Sequence, residues 1–104
     1  MANPWTGEVT VQINGVSQTC KLTLGALAEL EAGLQEGSLI DLIRRFEGGA
    51  FSSRDVMAVI VAGLRGGGWT GISADLMTAE ISGGPIGAAQ VAATLLARAF
   101  APPT

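Results

Sequence analysis

The 104-residue sequence has no histidine and no tyrosine, and a single cysteine, Cys20. Each absence removes a class of chemistry. Without imidazole there is no triad of the Ser-His-Asp kind, no histidine metal ligand and no histidine pH switch. One cysteine can form neither an internal disulfide nor a multi-cysteine zinc site, and it suits a reducing compartment. Charge is also scarce: 14% of residues are charged, with six Lys/Arg against nine Asp/Glu and a net charge of -3. That sign is wrong for a sequence-independent grip on phosphate backbones, so nucleic acid is not expected as a partner. Long apolar runs are missing too. The longest, Val56 to Leu64, falls far short of the roughly 20 residues that a membrane span needs. Met1 to Gly7 carries neither Lys/Arg nor an apolar h-region, so no secretory signal is expected there. The expectation is a soluble cytoplasmic protein.

What is present is an apolar fraction of 48%, enough for one compact domain over 1–104 but not for two cores. After a loose segment at 1–7, Val9, Val11 and Ile13 alternate with Glu8, Thr10 and Gln12, the period of a half-buried strand. Asn14-Gly15 accepts the positive φ angles of a two-residue type I′ turn. The turn pairs Ile13 with Val16, Val11 with Gln18 and Val9 with Cys20, with Glu8 facing Lys21. Val9, Val11, Ile13, Val16, Cys20 and Leu22 then make an apolar face that only Gln18 interrupts. A lone hairpin over 8–22 is marginal in water, so this face must pack on the helices that follow or pair with another chain.

Five helices are expected over 24–100. Thr23 caps the first, about Leu24 to Gln35, with Leu24, Leu27, Leu30 and Leu34 at helical spacing. Ser38 with Asp41 opens the second; Leu39, Leu42, Ile43 and Phe46 face inward, Asp41, Arg44 and Arg45 outward, and Gly48-Gly49 ends it. Ser52 with Asp55 opens a third through about Leu64. Its apolar residues cover most of the circumference, which marks it as the central helix. A short fourth, about Ala74 to Ile81, has Ser73 as N-cap and Ile72 with Met77 as a hydrophobic staple. The fifth starts at Pro85 and presents Ile86, Ala89, Ala93, Leu96 and Phe100. The fold class is α+β: an N-terminal β-hairpin followed by about five short helices in a compact bundle.

No motif in the chain calls for a cofactor. Gly66-Gly67-Gly68 lacks the Gly-Lys-Ser/Thr and the preceding strand of a phosphate-binding loop, and it reads as a C-cap and turn. Glu29 and Glu31 are two apart on a helix and point away from one another, so they cannot act as an acid/base pair. Cys20 has no base to activate it and reads as a small core hydrophobe. Trp5 and Trp69 stand outside the periodic faces, in Gly/Thr-flanked loops. They either lid the ends of the core or anchor a partner, as interface tryptophans do. The outer edge of the hairpin is a second place where another chain could add.

Several strings, in order along nearly the whole chain, carry a resemblance. They are Gly7-Glu8-Val9, Leu22-Thr23-Leu24-Gly25-Ala26-Leu27-Ala28-Glu29-Leu30-Glu31, Ser53-Arg54-Asp55-Val56, Ala62-Gly63-Leu64-Arg65-Gly66-Gly67-Gly68 and the alanine-rich helix from Ile86. Together they resemble a family of small phage tail proteins encoded in the gene transfer agents of alphaproteobacteria and in related prophages. The resemblance implies a part in building a phage-like tail, under one of two descriptions, tail tube protein or tail assembly chaperone. Tube proteins of long-tailed phages generally have a β-sandwich that completes an inner ring of strands, whereas one hairpin followed by helices fits the chaperone description better. Implied partners are the tape measure protein and the tail tube subunit, with self-association also open. No small-molecule substrate, cofactor, metal or membrane is implied, and no catalytic residue carries over. The expected function is thus non-catalytic tail assembly. The alternatives are a structural part of the tube or its terminus, which would be particle-associated, and a small enzyme built on converging carboxylates.

Overall fold

The computed structural model describes residues 7–34 and 37–100. Two strands, β1 (Val9–Ile13) and β2 (Val16–Cys20), precede α1 (Leu24–Gly33), α2 (Leu39–Gly48), α3 (Ser53–Gly66), α4 (Ser73–Leu76) and α5 (Gly84–Ala99). Asn14 at φ 51° and Gly15 at φ 79° make the turn, and the ladder runs Ile13 to Val16, Val11 to Gln18 and Val9 to Cys20. The register is therefore the one that the Asn-Gly dipeptide imposes.

The ladder ends at Cys20 because the next backbone group is taken elsewhere. Lys21 N–H donates to the Gly63 carbonyl of α3 at 2.8 Å. That bond joins the hairpin to the central helix. α3 packs on α1, α4, α5 and β2, and buries Val59, Ile60, Ala62, Gly63 and Leu64. Leu64, Ile60 and Val59, with Leu95 of α5 and Leu42 of α2, are among the largest fully buried side chains. Each such side chain contributes about 1.5–3 kcal/mol by leaving water.

Three helix starts follow the local chemistry of the sequence. Thr23 Oγ1 accepts from Ala26 N–H at 3.1 Å. Ser38 and Asp41, and Ser52 and Asp55, form reciprocal capping boxes: Asp41 and Asp55 each accept from the cap backbone N–H at 2.9 Å. Hydrogen bonds from Ser38 hold the exposed Asp41 carboxyl below its ordinary value.

Arg45 is not turned to solvent as its sequence position implies. Its Nε and Nη2 donate to Asp55 Oδ2 and Oδ1, both at 3.0 Å, which ties α2 to the first turn of α3. This fork holds the Asp55 carboxyl below its ordinary value of 3.8, aided by the Ser52 N–H. Because the folded pKa is depressed, the stability that Asp55 contributes is present above the unfolded pKa and lost as pH falls through the folded one. Asp55→Asn is expected to cost about 1–2 kcal/mol at pH 7. Urea midpoints should show that gap from wild type closing as pH drops below 4; a gap constant down to pH 3 would refute the assignment.

Four other expectations are corrected. Leu24 is 85% exposed, and α1 instead buries Ala26 and Leu30. Leu24 lies two residues, some 200° of helix, from Ala26, whose small side chain faces the close approach of Gly66. Val16 is 58% exposed, although its ladder partner Ile13 packs against the core. α4 stops at Leu76, and Ile72 and Met77 are both exposed, so they form no staple. Asp75 caps this turn by accepting from Ile72 N–H at 2.9 Å. The residues assigned to the end of α4 are extended: Ile81 bridges Ile13, Asn14 N–H donates to Glu80 O, and Ser82 N–H donates to Gln12 O. Finally, α5 buries Ala88, Ala92, Leu95 and Leu96, leaving Ile86 and Phe100 outside.

Candidate functional site

The rotation of α5 has a consequence at its N-terminal end. Deep in the fold α3 and α5 meet where Gly63 faces Leu95. Toward the N-terminal ends of the two helices, Val56, Met57 and Ile60 of α3 and Pro85, Ala88 and Ala89 of α5 line a cavity of about 280 Å³. Phe51, Leu76 and Ile81 complete its walls, and Ser52 and Ser53 stand at its edge. This volume lies near the lower bound for small-molecule pockets, and the lining is almost wholly apolar.

Two shallower recesses continue it around the start of α5. One shares Phe51, Pro85 and Ala89 and is lined further by Phe46, Ile86, Gln90 and Ala93. The other shares Ile81, Pro85 and Ala88 and is lined further by Ala79, Glu80 and Gly84. Phe46 and Phe51 stack with ring centroids 4.7 Å apart and planes 7° from parallel, which makes a rigid wall. Across the three recesses one ionisable side chain appears, that of Glu80.

The chemistry available here is contact. Among the described residues no polar or charged side chain is buried, and no three His, Cys, Asp or Glu side chains gather as metal ligands would. Asp41, Asp55 and Asp75 cap helices, Glu31 accepts from Leu39 N–H at 3.3 Å, and Glu29 pairs with Arg65 at 2.9 Å. Cys20 is fully buried, and burial pushes its thiol up to about 12, so it stays protonated at neutral pH. Among the described residues no helix is long and apolar enough to cross a membrane.

Of the two tryptophans named as core lids or partner anchors, Trp69 does not line this groove. Trp5 lies outside the described residues. Trp69 is half-buried against the core, its main-chain N–H donating to Leu64 O at 2.9 Å and its indole lying over Gly71, where a Cβ would come within 2.1 Å of Cζ2. The groove residues themselves escaped the sequence reading. Phe46 and Phe51 flank Gly48-Gly49, which folds one ring back onto the other, but a five-residue spacing is not a helical signature. Ile86 falls on a helical face that the spacing alone assigns to the core, because α5 is apolar on nearly every side.

The family described as "Phage tail tube protein, GTA-gp10" matches residues 6–102. No curated protein and no solved structure matches the chain.

Proposed function

The chain belongs to the phage tail tube protein, GTA-gp10 family, and from that membership we propose that it acts as a non-catalytic tail assembly chaperone. The role is to bind the tape measure protein and the tail tube subunit while a phage-like tail is built, in the bacterial cytoplasm. The observation that carries this reading is the sheet: among the described residues it is one two-stranded hairpin with a single added bridge at Ile81. Such a sheet does not supply the β-sandwich from which tail tubes of long-tailed phages complete a ring of strands. An open apolar groove on a small helical body supports reversible contact with partners instead.

The family's description as a tube protein favours a second reading, a structural subunit of the tube or its terminus. Deleting the gene separates the chaperone reading from no role in tails at all. Absent or length-disordered tails in electron micrographs are expected, and normal tails of normal length would sink the proposal.

A further inference from the structure

We propose that the groove around the start of α5 is the seat of an apolar partner helix that carries a basic residue at one end, adjacent to Glu80. The inference rests on the chaperone reading and assigns it a surface. Three observations select this occupant.

The first is the lining. Met57 and Ile86 give adaptable apolar contact over a floor of small residues, Ala88 and Ala89, so that bulky side chains of a partner can enter. The second is hydrogen bonding. The free edge of β1 is already covered by the segment at the groove, since Gln12 O accepts from Ser82 N–H and Asn14 N–H, just past the strand, donates to Glu80 O. What faces the groove is a single bridge residue, Ile81, whose carbonyl already accepts from Gly84 N–H, so an incoming segment has no strand to extend and must satisfy its own backbone, as a helix does. The third is charge. Glu80 is exposed, its main-chain N–H and C=O are held by Asn14, and no cation among the described residues pairs with its carboxylate. In a chain of net charge -3, that carboxylate at one end of an otherwise uncharged groove favours a cation at the matching end of the partner.

The test uses two labelled Leu/Ala-rich helical peptides, alike except for lysines or glutamates at one end, titrated with the full chain by fluorescence anisotropy. The lysine peptide should bind the wild type more tightly. Ala89→Glu should weaken it at least about tenfold by placing a charge on the apolar floor. Glu80→Lys should weaken it by up to about fivefold and strengthen the glutamate peptide by a similar factor. Glu80→Lys alters an exposed side chain whose backbone bonds remain, so it keeps the test interpretable if Ala89→Glu fails to fold. Equal affinity of both peptides for both proteins would overturn the proposal. So would loss of self-association in the variants without loss of peptide binding, which would make a second copy the occupant. Co-expression with the tape measure protein and tube subunit separates the two levels. Capture by wild type and Ala89→Glu alike would refute the groove and leave the chaperone reading standing, whereas no capture by wild type would refute that reading while the peptide titration still decides the groove.

Discussion

Replacing Gly67 by alanine is expected to cost about 2–3 kcal/mol, overpacking a contact that has no side chain to move. A Cβ at Gly67 would lie 1.9 Å from the Thr19 carbonyl oxygen, and one at Gly66 would lie 2.0 Å from that of Lys21. Both obstacles are backbone, so either the end of α3 or strand β2 must shift. The shift would strain the bond from Lys21 N–H to Gly63 O that joins hairpin to helix. Gly67 has φ -88°, which alanine adopts freely, so the penalty is steric and not conformational. For a domain of this size the loss corresponds to a fall in Tm of about 10–20 °C. Gly48→Ala is the control: a Cβ there meets nothing within 4 Å, and the change should be neutral or stabilise by up to about 1 kcal/mol. Thermal melts of the two variants should therefore move apart. If Gly67→Ala melts with the wild type, the close approach of α3 to β2 is wrong.

The second large effect concerns the crossing of α3 and α5. Leu95 is fully buried, and its removal as Leu95→Ala is expected to cost about 2–5 kcal/mol for lost transfer energy and the cavity left behind. The neighbour across the interface is Gly63, where a Cβ would lie 2.8 Å from Leu95 Cδ1 and 3.2 Å from Cys20 Cβ. Gly63→Ala alone is therefore destabilising by overpacking, about 1–3 kcal/mol. In the double variant the new methyl enters part of the space that Leu95 vacates. The pair should cost less than the sum of the singles, by at least about 0.5 kcal/mol in urea denaturation. Strict additivity would show that the two residues do not face each other.

Much of this architecture is written in local chemistry. Asn14-Gly15 specifies the turn and with it the whole hairpin register, and the Ser38/Asp41 and Ser52/Asp55 boxes specify where α2 and α3 begin. Those signals are legible because each is local: Asn14 and Gly15 adopt the positive φ angles of the turn, and the Ser and Asp of each box satisfy backbone N–H groups three positions away. The rest depends on partners far along the chain. Nothing near Ile81 announces that it will bridge Ile13, 68 positions earlier, and pull the chain out of helix after Leu76. In α5 the alanines make several faces equally eligible for the core. The face with Ala88, Ala92 and Leu95 goes inward because Gly63 makes room for Leu95, and a single helix cannot reveal that.

The groove was hidden for the same reason. Its residues come from four parts of the chain, and its largest exposed member, Ile86, belongs by pattern to a core face. The aromatic wall of the groove is the stacked, half-buried pair of Phe46 and Phe51. Asp41 and Asp55 cap helices and Glu29 pairs with Arg65, so these carboxylates serve the fold.

The most direct measurement is the abundance of this chain relative to the major tube subunit, by quantitative mass spectrometry of purified particles and of the lysates they came from. The chaperone account predicts that it is abundant in lysate and far below stoichiometric in particles; a fixed, near-stoichiometric ratio in purified particles would contradict it and assign the chain to the tube.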